Sequence, residues 1–169
     1  MNKKRLAVLC ISDRSAAGIR EDQSGPAITQ QLSDITNTVA YSIIPDDKEK
    51  IKSALLQYAE DDNIDIIITT GGTGLAPRDV TPEATLSVAD RIVPGISEEI
   101  RRQSILITPN AMLSRGVSVV CNNTLIVNLP GSTKAVKECC EIIRPIINHA
   151  VDLLKEEVID CANDVKRRL

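Results

Sequence analysis

The stretch TTGGTGLAPRD, residues 69–79, places Gly71, Gly72 and Gly74 directly after an apolar run and just before an arginine and an aspartate. Glycine lets successive backbone N–H groups turn toward one point, and such a turn can bind an anion, most naturally a phosphate. The spacing matches neither common phosphate loop, because GxxxxGK[ST] is absent and Pro77 replaces the third glycine of the dinucleotide fingerprint. A tight structural turn is the alternative interpretation.

Three other segments with polar residues or glycine also follow apolar runs. Ser12 and Asp13 follow the first run, Asp46 follows the second in IPDD, and residues 130–132 (Pro-Gly-Ser) follow the last, with Lys134 close behind. Ligands of open parallel sheets bind outside the carboxyl ends of the strands. We therefore expect these segments and the glycine stretch to meet at one edge of a sheet.

Each of the acidic residues also has a structural interpretation. Asp46, or Asp47 in its place, could cap the helix that follows IPDD, and Asp13 could cap the turn after the first apolar run. Asp79 could form a cap with Thr81, which is itself expected to be the N-cap of the next helix, with a proline at the first helical position. Both kinds of role remain open at this point.

The elements that must position these residues are short apolar runs alternating with amphipathic segments. The runs at 5–12, 38–44 and 65–70 predict buried strands, and the two runs around Asn122 and Asn123 predict a hairpin or two closely joined strands. Helices are predicted at 24–35, 46–61, 81–92, 94–106 and 132–157, the last with a possible bend at Pro145. The alternation predicts an α/β fold with a mostly parallel sheet covered on both faces and one antiparallel pair. The charges of SEEIRRQ, residues 97–103, are expected to form a solvated helix face.

Length and composition restrict the class of protein. A chain of 169 residues is the size of one domain, here 1–169, with a tail at 156–169 that is expected to be mobile. A net charge of -3 and two tyrosines as the only aromatic residues argue against nucleic acid as a partner. Five cysteines without a CxxC pair, and no apolar run of membrane-spanning length, favour a cytoplasmic protein without a membrane partner.

TTGGTGLAPRDVTPEAT, together with SDRSAAGIREDQSGPAI, IPDD and NLPGSTKAV, resembles the molybdopterin adenylyltransferase family of molybdenum cofactor biosynthesis. The similarity covers about residues 5–155, with the motifs in the expected order. It implies a three-layer α/β/α fold, a homotrimer, and an enzyme that uses Mg²⁺ to join ATP and molybdopterin into adenylyl-molybdopterin and pyrophosphate. It also implies hand-over of the product to a molybdenum insertion enzyme. Within this family the alternative is a non-catalytic molybdopterin-binding or scaffold protein.

The resemblance also assigns roles to residues. Asp46 and Asp79 correspond to the two family aspartates and are expected to be catalytic, with a metal-ligand role toward Mg²⁺. The positions expected to bind substrate or nucleotide are Ser12, Asp13, Gly71, Gly72, Thr73, Gly74, Arg78, Thr81, Ser114, Arg115, Pro130, Gly131, Ser132 and Lys134. Of these, Ser114 and Arg115 resemble positions that hold the pterin and its phosphate.

Overall fold

The fold is built on a six-stranded sheet. The computed structural model describes residues 2–61 and 63–155. The strands are β1 (Lys4–Ile11), β2 (Thr36–Ile44), β3 (Ile66–Thr70), β4 (Arg91–Ile92), β5 (Ser118–Cys121) and β6 (Thr124–Leu129). Their order is β2-β1-β3-β6-β5-β4, in which β2, β1, β3 and β6 are mutually parallel. β5 pairs antiparallel with both β6 and β4, so the mostly parallel sheet with an antiparallel pair is confirmed.

Helices cover both faces of this sheet. They are α1 (Asp13–Ala16), α2 (Ser24–Gln31), α3 (Lys48–Ala59), α4 (Thr81–Leu86), α5 (Pro94–Ile105) and α6 (Thr133–Leu154), and a 3₁₀ turn spans Pro109–Leu113. Along β1, Leu6 and Val8 pack in one core with α2, α5 and α6, whereas Ala7 and Leu9 pack in a second core with α3 and α4. The protein therefore has the three layers that the resemblance implied.

Burial on both faces explains the continuous apolar strands and leaves the polar loops at their ends. All residues of β3 and β6 are buried, as strands between two helical layers must be. The hairpin between β5 and β6 turns at Asn122, whose φ of +52° lies in the left-handed region that asparagine tolerates. The predicted turn at the two asparagines is confirmed.

Two expectations about the helix after the glycine stretch are wrong. This helix, α4, ends at Leu86 instead of continuing to Ile92, because Arg91 and Ile92 pair with Val120 and Val119 as the short edge strand β4. Thr81 is not the N-cap either: it is the first residue of α4, and the flanking Val80 makes no side-chain capping bond. The Thr81 hydroxyl is used elsewhere, in the site described below.

The last long helix continues through Pro145 to Leu154. The expected mobile tail at 156–169 lies outside the described residues. Within the described residues, none of the helices has the length and hydrophobicity that a membrane span requires. Cys139 and Cys140 are buried in the core on the α6 side of the sheet.

Candidate functional site

Two cavities open side by side at the carboxyl edge of the parallel strands. The acidic cavity, of about 350 Å³, is bordered by carboxylates of Glu21, Asp22, Asp46 and Asp79. The apolar cavity, of about 440 Å³, is floored by apolar residues of α5, α6 and the 3₁₀ turn. Gly72, Asp79 and Gly131 line both cavities. The expected convergence of the strand-end loops at one edge is therefore present, and it creates two compartments with a common wall.

The glycine stretch forms the centre of this wall, and its glycines are sterically required. Gly71 has a φ of +99°, and a Cβ there would lie 2.2 Å from the Ile11 carbonyl oxygen. Gly72 has a φ of +63°, and a Cβ there would lie 2.3 Å from Thr81 Oγ1 and 3.1 Å from Asp46 Oδ1. A side chain at either position would separate the loop from the residues that it contacts.

Buried hydroxyl groups fix the carbonyl oxygens of this loop and of its neighbour. Thr81 Oγ1 donates to the Gly71 carbonyl at 2.9 Å, Thr70 Oγ1 donates to the Pro130 carbonyl at 2.8 Å, and Ser24 Oγ donates to the Gly131 carbonyl at 2.9 Å. In the described part of the chain, the N–H groups of residues 72–74 donate to no other residue. An anion-binding loop requires N–H groups that are available to the ligand, and hydrogen bonds to the loop carbonyls keep those N–H groups in place.

The loop after β6 completes the wall. A Cβ on Gly131 would lie 3.3 Å from Gly71 Cα, so the two loops touch through their backbones. Ser132 caps α6 by accepting from the Ala135 N–H at 3.2 Å. The N–H groups of the first turn of this 22-residue helix have no partner within the helix and carry its positive dipole end. Gly131 and Ser132 border the acidic cavity, where they suit an anionic ligand.

The loops after β1 and β2 are joined by their aspartates. The Asp13 N–H donates to Asp46 Oδ2 at 2.9 Å, and the Asp46 N–H donates to Asp13 Oδ1 at 3.0 Å. Arg78 Nη2 donates to both oxygens of Asp13 at 2.6 Å, which ties the glycine stretch to the same pair of loops. The hydrogen bond from Arg78 lowers the pKa of Asp13. Asp13 and Arg78 thus order the loops, while Ser12 and Asp46 line the acidic cavity.

Residues other than Asp13, Asp46 and Asp79 form the helix caps that were the alternative interpretation of these aspartates. Asp47 is the N-cap of α3 and accepts from the Lys50 N–H at 3.0 Å, which leaves Asp46 for the cavity. Ser12, and not Asp13, caps α1. Asp79 does not cap with Thr81 but accepts from the Ala76 N–H at 2.9 Å, which closes the turn within its own loop.

Burial raises the pKa of Asp46, and the negative charges of Asp13 and Asp79 raise it further. Asp46 and Asp79 both line the acidic cavity, and their like charges repel each other. Such a pair is stabilised by a cation. In the described part of the chain no group of three acidic, histidine or cysteine side chains is arranged to hold a metal, so a bound ion would take further ligands from phosphate and water.

The remaining predicted residues divide between cavity lining and support. Thr73, Gly74, Ser114 and Pro130 line the apolar cavity. Arg115 instead holds the glycine stretch from behind: its Nε donates to the Gly74 carbonyl at 2.8 Å and its Nη2 to the Asp79 carbonyl at 2.5 Å.

Five of the predicted residues line neither cavity: Asp13, Arg78 and Thr81, which order the loops as described above, and Arg115 and Lys134. Arg115 forms an ion pair with Glu83 in addition to its bonds to the loop carbonyls. Lys134 is 82% exposed and lies 4.0 Å from Glu138 as a surface pair. Neither Arg115 nor Lys134 lines a cavity, so neither side chain contacts a ligand in the cavities as they stand.

Sequence reasoning missed several residues that do line the cavities. Arg101 of SEEIRRQ borders the apolar cavity, so the solvated-face interpretation of that segment holds for the Glu99 and Arg102 pair but is wrong for Arg101. Glu138 on α6 lines the same cavity, and Arg20 lines the acidic one. For Arg101, helical spacing did indicate which face of α5 it lies on. Ile100, Arg101 and Ser104 are i, i+1 and i+4, as residues of one face are.

Comparison with known proteins finds a matching family and relatives of similar sequence. The family described as "Probable molybdopterin binding domain" matches residues 7–149. A Helicobacter pylori (strain ATCC 700392 / 26695) protein named molybdopterin adenylyltransferase is 41% identical over 157 residues, 91% of this chain and 89% of that protein. An Escherichia coli (strain K12) protein of the same name is 40% identical over 147 residues, 85% of this chain and 75% of that protein.

A solved structure of similar sequence has the same fold. The molybdopterin biosynthesis enzyme MoaB from Thermus thermophilus superimposes with a TM-score of 0.86 at 43% identity, covering 90% of this chain and 97% of that one.

Proposed function

This chain belongs to the molybdopterin-binding domain family, and we propose on that premise that it is a molybdopterin adenylyltransferase of molybdenum cofactor biosynthesis. The reaction transfers the adenylyl group of ATP to the terminal phosphate of molybdopterin. A phosphate oxygen of molybdopterin attacks the α-phosphorus of ATP, the bond from that phosphorus to the β-phosphate bridging oxygen breaks, and pyrophosphate leaves with the electron pair.

The observation that carries the proposal is the pair of cavities meeting at Gly72, Asp79 and Gly131. A reaction that joins two phosphate-bearing substrates needs two compartments whose contents meet at one point. Holding two reactants in contact supplies much of the rate enhancement of such a transfer. The common wall is where the attacking phosphate and the α-phosphorus would be brought together.

We assign one substrate to each compartment from the chemistry of its lining. Ile100, Leu113 and Ala135 line the apolar cavity, and an apolar floor suits the flat ring system of molybdopterin. The acidic cavity borders the loop N–H groups and the α6 N-terminus through Gly71, Gly72 and Ser132. These donors suit the triphosphate of ATP, since backbone N–H groups and helix dipoles stabilise phosphate charge without reorganisation.

A bound Mg²⁺ would allow two carboxylates to lie beside an anionic substrate, because it offsets the repulsion between their negative charges. Asp46 and Asp79 line the acidic cavity together, and oxygen ligands of this kind are those that Mg²⁺ prefers. When bound, the ion would neutralise charge on the phosphates and on the departing pyrophosphate. The chain's own part is to hold Asp46 through Asp13 and Asp79 through Ala76, so that both carboxylates are oriented before substrate arrives.

A non-catalytic binding or scaffold role is not favoured. The relatives at about 40% identity are named as adenylyltransferases. Asp46 and Asp79 each accept one backbone N–H, from Asp13 and Ala76, and both also line the acidic cavity. A protein that only held the pterin would need the apolar cavity and not the acidic one.

We further propose a homotrimer that works in the cytoplasm and passes its product to a molybdenum insertion enzyme. Support for self-association comes from large apolar side chains that stay exposed between the end of α5 and the 3₁₀ turn: Ile105, Leu106, Ile107, Met112 and Leu113. A light-scattering mass close to that of a monomer at micromolar concentration would contradict the trimer.

The test of the proposed function is direct adenylylation. Purified protein is incubated with molybdopterin, ATP and Mg²⁺, and adenylyl-molybdopterin and pyrophosphate are measured over time. Asp79→Asn should abolish turnover, whereas Glu49→Gln, the same chemical change on the exposed face of α3, should leave it unchanged. Tight binding of molybdopterin without any product from the wild-type protein would show a carrier and overturn the proposal.

A further inference from the structure

The apolar cavity has a charged rim that the adenylyl transfer itself does not require. Its floor is apolar, and two charged side chains from different helices border it: Arg101 from α5 and Glu138 from α6. Apart from Asp79 in the common wall, these are the charged residues among those that line this cavity in the described part of the chain. Their position suggests recognition of a ligand with both donors and acceptors on its edge.

Glu138 faces the cavity from the α6 side. Ala135, Glu138 and Cys139 are spaced i, i+3 and i+4 on the helix and all line the cavity. The Glu138 side chain is 29% exposed, and its one ion-pair contact within the described residues is Lys134 at 4.0 Å, a side chain that is itself in solvent. Exposed pairs of this length contribute little, so the carboxylate keeps its accepting capacity for a ligand.

Arg101 is held in place by one bond and keeps its other donors. Its Nη1 donates to the Gly116 carbonyl at 2.9 Å, and it forms no ion pair within the part of the chain that the structure describes. Although Arg101 and Glu138 border one cavity with opposite charges, they do not pair with each other there. Opposite charges that line a cavity without pairing are available to a ligand placed between them.

The ring system of molybdopterin presents the matching edge. A 2-amino-4-oxopteridine carries two adjacent donors, the 2-amino group and the N3–H, followed by the acceptor O4. Two parallel N–H groups match the two oxygens of a carboxylate, as they do in guanidinium–carboxylate pairs. A guanidinium donor matches O4.

We propose that Glu138 accepts from the 2-amino group and N3–H of the pterin and that Arg101 donates to its O4, which makes these two residues the determinants of ring specificity. The inference rests on the proposed function, since it names the groups that select the substrate of that same site. The apolar floor residues then provide contact area for any flat ring, and the two charged rim residues select the pterin ring. A carboxylate left without its donors rejects an analogue that lacks them.

The test compares two ring analogues as competitors of molybdopterin binding: pterin, and lumazine, which has an oxo group in place of the 2-amino group. With wild-type protein, pterin should compete better than lumazine by about tenfold or more, as expected when a hydrogen bond to a charged group is lost. In Glu138→Gln, molybdopterin should bind at least about tenfold more weakly, and the preference for pterin over lumazine should fall to near one.

Further variants separate recognition from structure. Arg101→Gln should weaken molybdopterin binding without changing the pterin-to-lumazine ratio, because both rings carry the 4-oxo group. Glu141→Gln, on α6 outside the cavity-lining face and 60% exposed, is the matched control and should behave as wild type. ATP binding measured without molybdopterin and the melting temperature should not change in Glu138→Gln.

The outcomes distinguish this inference from the proposed function. If the wild-type protein binds and adenylylates molybdopterin but Glu138→Gln keeps full affinity or full pterin preference, the inference is overturned alone. The inference is also overturned alone if neither analogue competes with molybdopterin, since the protein then does not bind the edge of the ring. If the wild-type protein neither binds nor adenylylates molybdopterin, the proposed function fails and the inference fails with it.

Discussion

Asp13 and Asp46 exchange hydrogen bonds, each backbone N–H donating to the carboxylate of the other at 2.9 and 3.0 Å. The two residues lie 33 positions apart, at the ends of the neighbouring strands β1 and β2. One carboxylate oxygen of Asp46 accepts the Asp13 N–H and so holds the side chain in one orientation, in which it lines the acidic cavity. The pairing explains why two aspartates of like charge tolerate proximity: each stabilises the other through backbone donors, and Arg78 neutralises Asp13.

Asp46→Asn should abolish adenylylation and stabilise the fold at neutral pH. Burial and the charges of Asp13 and Asp79 raise the pKa of Asp46, so the folded state binds its proton more tightly than the unfolded state. Stability therefore falls as pH rises from the ordinary aspartate value through the raised one, and a neutral asparagine removes that loss. Turnover should drop about 100-fold or more, as expected for a lost metal or charge contact.

The measurement is thermal unfolding of both proteins at pH 7 and pH 3 together with the adenylylation rate. The gain in melting temperature should be present at pH 7 and absent at pH 3. The neighbouring variant Asp47→Ala is the control: loss of the α3 cap should cost about 1 kcal/mol and leave turnover intact. A less stable Asp46→Asn at pH 7 would contradict the electrostatic account.

Thr81→Val tests the support of the glycine stretch. The change removes the hydrogen bond from Thr81 Oγ1 to the Gly71 carbonyl in a fully buried position, which should cost about 1–3 kcal/mol and slow turnover. Thr36→Val removes a similarly buried threonine bond, to the Leu32 carbonyl at 3.0 Å, at the opposite edge of the sheet. Urea unfolding should show similar losses in both, with slower adenylylation in Thr81→Val alone; equal rates would argue against a positioning role.

Gly71→Ala should destabilise the protein strongly. The Cβ would meet the Ile11 carbonyl oxygen at 2.2 Å, and the φ of +99° disfavours any side chain. We expect a loss of about 2 kcal/mol or more from strain and backbone displacement. Gly95→Ala is the control, because a Cβ there meets nothing within 4 Å near the start of α5. It should be neutral or stabilising by about 0.5 kcal/mol in denaturant titration.

Asp65→Asn should remove a stabilisation that depends on pH. Although burial opposes ionisation, hydrogen bonds from Arg5 and the ion pair with Lys155 lower the pKa of Asp65 to about 2. A lowered pKa stabilises the folded state above the ordinary aspartate value and loses that effect as pH falls toward 2. The variant should be about 2 kcal/mol less stable at pH 6, since one pKa unit is about 1.4 kcal/mol.

Unfolding curves of wild type and Asp65→Asn between pH 6 and pH 2 check this window. The difference should shrink below about pH 4, near the ordinary aspartate pKa. Adenylylation at pH 7 should persist in the folded variant, because Asp65 lies before β3 at the edge of the sheet opposite the two cavities. A difference that stays constant with pH would show that the charge of Asp65 is not its source.

Apolar patterning was sufficient to predict most of the fold. Uninterrupted runs such as DIIITT predicted strands buried on both faces, and β3 is fully buried between the two helical layers. The helix at 81–92 failed because the polar pattern of TLSVADRI carries no sign that Arg91 and Ile92 pair with β5. Strand pairing at an edge depends on a partner about 28 residues away in the chain, which local patterning does not report.

The sequence predicted which residues lie at this edge of the sheet better than it predicted what each side chain does there. The glycines at this strand end were expected to let an anion approach the backbone, and the structure shows that they also let two loops touch, at Gly71 and Gly131. Arg78 and Arg115 were expected at phosphate, yet their guanidinium groups are bonded to Asp13 and to loop carbonyls. Whether an arginine meets a ligand or a carbonyl depends on which groups lie within reach after folding.

By itself the sequence determined the layered fold, the edge at which the strand-end loops converge and the aspartates and glycines that lie there, because alternation of apolar runs and placement of glycine are local properties of the chain. The tertiary structure alone decided that the edge holds two cavities instead of one, that Asp47 caps α3 while Asp46 faces the cavity, and that Arg101 and Glu138 border the same space. These relations join residues from different elements. They arise only when β6 and α6 bring the 130–132 loop against the glycine stretch, and no periodicity along the chain encodes that contact.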